Sequence, residues 1–318
     1  MTIIHSFFRY LLKHEYIMNI IKNFGMMIDR LKEHKIKKRV AVVFGVDSHS
    51  EFALSNAIKA GFINVIMIGP KKEVESYPIF KEHPESVEFI DMDDPDSAAI
   101  KAVSLIHEKK ADILMKGIIN TDNLLRVVLN KEKGLLPKGK VLTHLSIAEI
   151  PSLSKLLFFL DAAVIPYPTL DQRREMLGYM SKACRSFGIV TPKLALIHCT
   201  EKVSNKFPHS LDYVQLIDDA KDGLFGSSVV DGPMDICTAC DKESGEIKGI
   251  ESPIGGDADG LMFPNIESGN VFYKSITLFG HAQMAGILMG TECPVIITSR
   301  SDSGLTKFNS IAMACLTH

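Results

Sequence analysis

Net charge is almost absent from this chain, in which 36 Lys and Arg stand against 38 Asp and Glu for a formal charge of −2. Such a balance gives no overall pull toward the phosphates of a nucleic acid or toward an anionic bilayer, so binding either would need a local patch. The densest basic cluster, Lys35, Lys37, Lys38 and Arg39, stands just before an apolar run and reads as the solvated end of a helix entering a strand. Cysteine is sparse too. The six at positions 184, 199, 237, 240, 293 and 315 show no disulfide framework, which suits a reducing, cytoplasmic setting. Long apolar runs are missing: the most hydrophobic early stretch, residues 3–28, is broken by Arg9, Lys13, His14, Glu15, Lys22 and Asn23 and is neither a membrane span nor a signal-peptide core. Two readings of that stretch stay open. Met18 suits a natural start of translation, making residues 1–17 an upstream extension, or the stretch is an amphipathic helix lying on the body of the protein. No internal repeat, heptad pattern or low-complexity tract is found.

The composition is otherwise that of an ordinary globular protein, 46% hydrophobic with 22 Gly and 14 Pro. At about 150 residues per domain the length suggests two domains, each able to bury a core. Short β-branched runs at 39–44, 65–68, 87–90, 112–115, 156–160, 194–198, 228–230, 261–263, 286–289 and 295–298 alternate with helical patterns at 50–60, 96–108, 121–130, 170–187, 212–223, 269–279 and 305–315. This order predicts an α/β protein with mostly parallel strands and helices on both faces. Two sheets are a more natural expectation than one very wide sheet. The boundary is expected in the charged Gly/Pro stretch 131–140, which ends in residues 141–144.

Several motifs fail on inspection. Gly134, Gly139 and Lys140 have P-loop spacing, but Val141 replaces the magnesium-binding hydroxyl residue and the segment leads into a strand rather than out of one. No dinucleotide fingerprint follows the first strand. Cys237 and Cys240 have the spacing of a zinc or redox pair, yet no second pair lies nearby, and they read as small residues of a helix. His198 and Cys199, adjacent at a strand end, are expected on opposite faces.

Other segments carry chemistry. Asp231 is expected at the carboxyl end of a parallel strand, where open α/β sheets bind ligands, with Gly232 for a turn and Pro233 at the first helical position. The polar loop with Asn265, Glu267 and Asn270 enters a helix carrying Tyr273 and Lys274. Ser299, Arg300, Ser301, Asp302 and Ser303 at a strand end suit a phosphate or a developing oxyanion. Lys116 and Gly117 after a strand, Thr121 at the helix entry and Arg126 beyond it form a fourth such element. Together, Lys, Arg and hydroxyl residues from both halves suit one anion.

With Glu201, Lys206 and Pro208 added, these ordered motifs resemble the phosphate acetyl/butyryltransferases, and the wording is closer to the butyryl branch. The resemblance runs from about residue 20 to the C-terminus and implies a two-domain α/β fold of the isocitrate/isopropylmalate dehydrogenase type with its active site in the interdomain cleft. The implied domains are 18–140 plus 299–318, and 141–298. The implied reaction joins acyl-CoA and phosphate to give acyl phosphate and CoA, without a catalytic metal or a permanently bound cofactor, in a homodimer or higher homo-oligomer. Butyryl-CoA is the expected substrate, with phosphate acetyltransferase as the alternative. Ser299 and Arg300 match the family's Ser-Arg pair at the reacting acyl phosphate, and Arg126 an Arg at the phosphate end. Lys116, Thr121, Asp231, Asn265, Glu267, Asn270 and Lys274 are the further substrate-binding candidates. Where the acetyl branch carries an Asp as base, this chain has Asn309, and Asp302 is the substitute. The missing acid also leaves open a weakened CoA-ester or acyl-phosphate binding protein. A decarboxylating dehydrogenase would need an acidic metal cluster, which the dispersed carboxylates do not suggest.

Overall fold

The basic cluster does lie where a helix gives way to a strand. In the computed structural model, which describes residues 19–45, 47–74, 77–298 and 302–318, the strands are β1 (Lys38–Val43), β2 (Ile63–Gly69), β3 (Val87–Asp91), β4 (Ile113–Lys116), β5 (Thr143–Glu149), β6 (Leu157–Leu160), β7 (Lys193–Ile197), β8 (Val229–Met234), β9 (Gly260–Met262), β10 (Gln283–Met289) and β11 (Val295–Ile296). The helices used below are α1 (Phe24–Glu33), α2 (Ser48–Lys59), α3 (Pro95–His107), α4 (Thr121–Val128), α5 (Leu170–Ser186), α6 (Pro208–Lys221), α7 (Ile266–Leu278) and α8 (Gly304–Thr317). None of the helices among the described residues is long and apolar enough to cross a membrane. The proposed extension, residues 1–17, lies outside the described residues.

All eleven strands form one sheet, in the order β3-β2-β1-β4-β11-β10-β5-β6-β9-β7-β8, instead of the two expected. The element that joins the halves is β5, which begins where the domain boundary was expected and is not among the strands expected from the sequence. It pairs antiparallel with β10 over seven residues, and with β6. The sheet is therefore mixed, although most pairs are parallel. With β10 and β5 inserted, β6, β7, β8 and β9 run opposite to β1, β2, β3, β4 and β11.

Alternation along the strands sorts side chains between the two faces. Val40 and Val42, Leu145 and Ile147, Phe158 and Leu160, and Leu194 and Leu196 belong to one continuous core spanning the sheet beneath α1, α2, α8, α5 and α6. On the other face the core is divided. Ala41, Val43 and Leu114 pack with α3 and α4 residues, whereas Phe159, Ala195 and Leu261 pack with Phe272, Tyr273 and Ile276 of α7.

The C-terminal helix α8 packs on α2, β10 and α1. Its Ile311, Ala312, Met313 and Ala314 are fully buried, and so is Lys307. The Lys307 ammonium lies 2.8 and 2.9 Å from the Asp47 carboxylate and 3.0 Å from the Ser50 hydroxyl. Asp47 also caps α2, accepting from the Ser50 N–H at 2.7 Å. Burial by itself would raise the Asp47 pKa, but the Lys307 ammonium and the Ser50 N–H outweigh it and hold the group below its usual 3.8. A depressed carboxylate stabilises the fold above its unfolded pKa and loses that contribution as pH falls through the folded value. Melting temperature should accordingly decline between about pH 5 and pH 2, and Asp47→Asn should lower it at neutral pH and flatten that decline. Parallel acid slopes for the two proteins in thermal melts would contradict the role given to the pair.

Candidate functional site

Because the two groups of strands run in opposite directions, carboxyl ends from both can meet on the face where the core divides. A cavity of about 250 Å³ opens there. From one side come Thr121 and Leu125 of α4, which follows β4, with Ile297 and Asp302, which follow β11. From the other come Ala162, Ala163 and Val164 after β6, and Asn270, Tyr273 and Lys274 of α7, which follows β9. His144 of β5 and Leu288 of β10, paired across the sheet, form the floor. A hollow of about 320 Å³ beside Arg39 and a groove of about 1310 Å³ along residues 19–22 contain none of the predicted site residues.

The wall formed by residues 161–165 is fixed by one carboxylate. Asp161 is buried and accepts from the Thr143 hydroxyl at 2.7 Å, from the N–H groups of Ala163 and Val164 at 2.7 and 2.8 Å, and from those of His144 and Ile165 at 3.2 and 3.3 Å. Asn270 completes the tie, donating from Nδ2 to the Ala162 carbonyl at 3.0 Å. Gly269 permits this approach, since any side chain there would run into the Asp161 carbonyl oxygen.

His144 rests with Nδ1 3.1 Å from the Ser146 hydroxyl. Burial lowers its pKa, against the opposing charges of Asp161 and Asp302. Burial also raises the Tyr273 pKa, and Asp302 adds to that effect. The Lys274 ammonium lies 5.0 Å from the centre of the Tyr273 ring. The cavity thus holds a cation, a carboxylate, a hydroxyl, an amide, an imidazole and a phenol against an apolar lining.

Of the predicted residues, Thr121, Asn270, Lys274 and Asp302 meet in this cavity. Lys116 ends β4, its ammonium 3.3 Å from the Gly117 carbonyl. Arg126 is exposed, with Asp96 at 3.8 Å and Asn123 at 3.4 Å. Asn265 caps α7 by accepting from the Ser268 N–H at 2.9 Å, and Glu267 accepts from the Tyr167 hydroxyl at 2.7 Å. Asp231 is mid-strand on the edge strand β8, which continues through Pro233 instead of giving way to a helix, and its carboxylate accepts from the Ser252 hydroxyl at 2.5 Å. An edge strand tolerates the proline because its missing N–H leaves no ladder bond unmade. Ser299 and Arg300 lie outside the described residues.

Two further sequence readings meet the structure here. Cys237 and Cys240 do sit in one short helix, Ile236–Cys240. His198 and Cys199 are closer than expected: β7 ends at Ile197, so strand alternation no longer separates them, and Sγ lies 3.9 Å from His198 Nε2. The sequence reading passed over His144 and Asp161 as site residues. A usable signal was there for His144, because residues 144–147 alternate polar and apolar with the period of a strand.

An open α/β sheet with a mixed polar and apolar cavity where strand carboxyl ends meet is the arrangement of a small-ligand enzyme. Residues 91–315 match the family model described as "Phosphate acetyl/butaryl transferase". A phosphate butyryltransferase of Clostridium acetobutylicum is 38% identical over 299 residues, covering 93% of this chain and 98% of its own length. A phosphate acetyltransferase of Rhizobium meliloti is 32% identical over 294 residues, with 91% and 92% covered. Among solved structures, a branched-chain phosphotransacylase from Enterococcus faecalis superimposes with a TM-score of 0.76 at 30% identity, covering 88% of this chain and 99% of that one. The chain belongs to the phosphate acetyl/butyryltransferase family of phosphate acyltransferases.

Asp161→Asn keeps the size of the side chain but exchanges an acceptor oxygen for a donor amide and removes the charge that five donors share. The substitution should destabilise the protein by about 2–4 kcal/mol, measured by denaturant unfolding. An unfolding midpoint unchanged from the native protein would show that the wall of the cavity does not depend on this carboxylate.

Proposed function

We propose that this enzyme interconverts a short-chain acyl-CoA plus phosphate with acyl phosphate plus CoA, by direct transfer in a ternary complex, with butyryl-CoA as its preferred substrate. The observation that carries this reading is the cavity, in which Leu125, Ala162, Val164, Leu288 and Ile297 offer an apolar surface for a short acyl chain beside the polar Thr121, Asn270, Lys274 and Asp302. We read it as the cleft between a domain of residues 18–140 plus 299–318 and a domain of 141–298, in the isocitrate/isopropylmalate dehydrogenase manner. The divided core on that face supports the reading.

In thiolysis a CoA thiol, with a pKa of about 8.5 by analogy with free cysteine, loses its proton and attacks the acyl carbonyl. The carbonyl oxygen then carries negative charge. Arg300, with Ser299 as a hydrogen-bond donor, stabilises charge that exists only in the transition state, which is where an interaction accelerates the step. In the other direction Arg126 and Arg300 orient phosphate for attack on the thioester. Asp302 is the thiol's base in this reading, because Asn309 is buried on α8 and an amide cannot take the proton. CoA enters as substrate, no permanent cofactor is assigned, and the functional form is a homodimer or higher homo-oligomer.

Butyryl-CoA mixed with phosphate should release free thiol in a phosphate-dependent way, and faster than acetyl-CoA does. No release from any short-chain acyl-CoA would sink the proposal, and tight CoA-ester binding without turnover in calorimetry would point to a binding protein instead. Arg300→Ala should lower turnover by at least about a hundredfold, the effect of losing one oxyanion donor. Near-normal turnover would take Arg300 out of the mechanism.

A further inference from the structure

We propose that His144 serves acyl transfer as a neutral hydrogen-bond donor, its Nε2–H directed at the acyl oxygen on which negative charge develops. This assignment rests on the acyltransferase reading above. His144 sits on the cavity side of β5, while its strand neighbours Leu145 and Ile147 enter the opposite core. The next residue on the cavity side, Ser146, is fully buried, and among the described residues its hydroxyl has one hydrogen-bond partner, His144 Nδ1 at 3.1 Å. A buried donor left unmade is costly, whereas a spare lone pair is less so. The hydroxyl therefore donates to Nδ1, and the ring proton belongs on Nε2.

The ring is also confined. On β10 the residue paired with Ser146, and so diagonal to His144, is Gly286, where a Cβ would come within 2.7 Å of His144 Cε1 and Nε2. The missing side chain of Gly286 thus leaves room for the Cε1–Nε2 edge at the cavity floor. Among the described residues, the ionisable groups near the ring are Asp161, which accepts from the His144 N–H, and Asp302, Tyr273 and Lys274 of the cavity lining. Asp161 is committed to the Thr143 hydroxyl and four backbone N–H groups. Burial outweighs both carboxylates and holds the imidazole below its usual pKa, so the neutral form prevails near pH 7.

A fixed neutral donor in a site shielded from water strengthens its bond as the oxyanion forms and keeps its own proton. As the C–S bond forms and the C–O bond to phosphate breaks, the thiol proton passes through the Asp302 carboxylate to the departing phosphate. His144 ends the step as it began.

The test compares His144→Ala, His144→Gln and Ser146→Ala in phosphate-dependent CoA release from butyryl-CoA, with melting temperatures to confirm folding. His144→Ala should lower kcat by at least about a hundredfold with KM for butyryl-CoA little changed, the signature of a lost oxyanion donor. His144→Gln, which still donates but does not titrate, should recover about tenfold of that loss and keep the shape of the native pH profile. Ser146→Ala, which frees Nδ1 to take the proton, should lower kcat without moving KM, and it keeps the idea open to refutation if His144→Ala does not fold. Equal losses in the Ala and Gln variants, with one ionisation gone from the profile, would overturn the donor role and make His144 a base. Normal turnover in His144→Ala, or in Ser146→Ala, would overturn the assignment while leaving the acyltransferase reading intact. No CoA release by the unaltered enzyme would remove that reading, and the His144 role with it.

Discussion

The Asp161 carboxylate is the constraint on which the cavity depends. It lies at the end of β6 and gathers the start of β5 and the first residues of the following loop through five donors. A carboxylate removed from water is tolerable only when its oxygens are fully engaged, and an engaged one permits little movement. The same group thereby sets the wall at residues 162–164, the position of the His144 backbone and, through the Ala162 carbonyl, the side chain of Asn270.

What this anchor holds together is a sheet whose two ends oppose each other. Parallel strands bury both faces and deliver their loops to one edge. Inserting β10 and β5 reverses the direction partway across, so loops after β4 and β11 face loops after β6 and β9 instead of lying at opposite ends of the molecule. One face keeps a continuous core under α1, α2, α8, α5 and α6, which holds the two halves together. The other face divides, and the division leaves the cavity. Lys307 works in the same spirit at the start of α8, fixing the helix that follows the Ser299–Arg300 segment to the N-terminus of α2.

Much of the fold was legible locally. Continuous apolar runs such as 39–44 and 65–68 announced buried strands, and the helices at 50–60, 96–108 and 170–187 came within a few residues of their observed bounds. Legibility failed where local pattern and tertiary context diverge. Residues 143–149 carry His144 and Ser146 toward a polar cavity and were not seen as a strand, so the link that makes one sheet out of two was missed. Pro233 looked like a helix start because the sequence cannot say that β8 is an edge strand, where a proline in the ladder is harmless.

The site divides in the same way. By itself the sequence determined the alternation of strands and helices, the absence of a membrane span among its apolar runs, and a family signature in ordered short motifs, because these depend on residues near one another in the chain. Only the tertiary structure decided that Thr121, Asn270, Lys274 and Asp302 share one cavity while Asn265 caps a helix, Glu267 pairs with Tyr167 and Asp231 with Ser252. The same residue types can bind a substrate or satisfy a backbone. Which of the two they do is set by partners distant in sequence, and for His144 by a glycine on the neighbouring strand that leaves room for its ring.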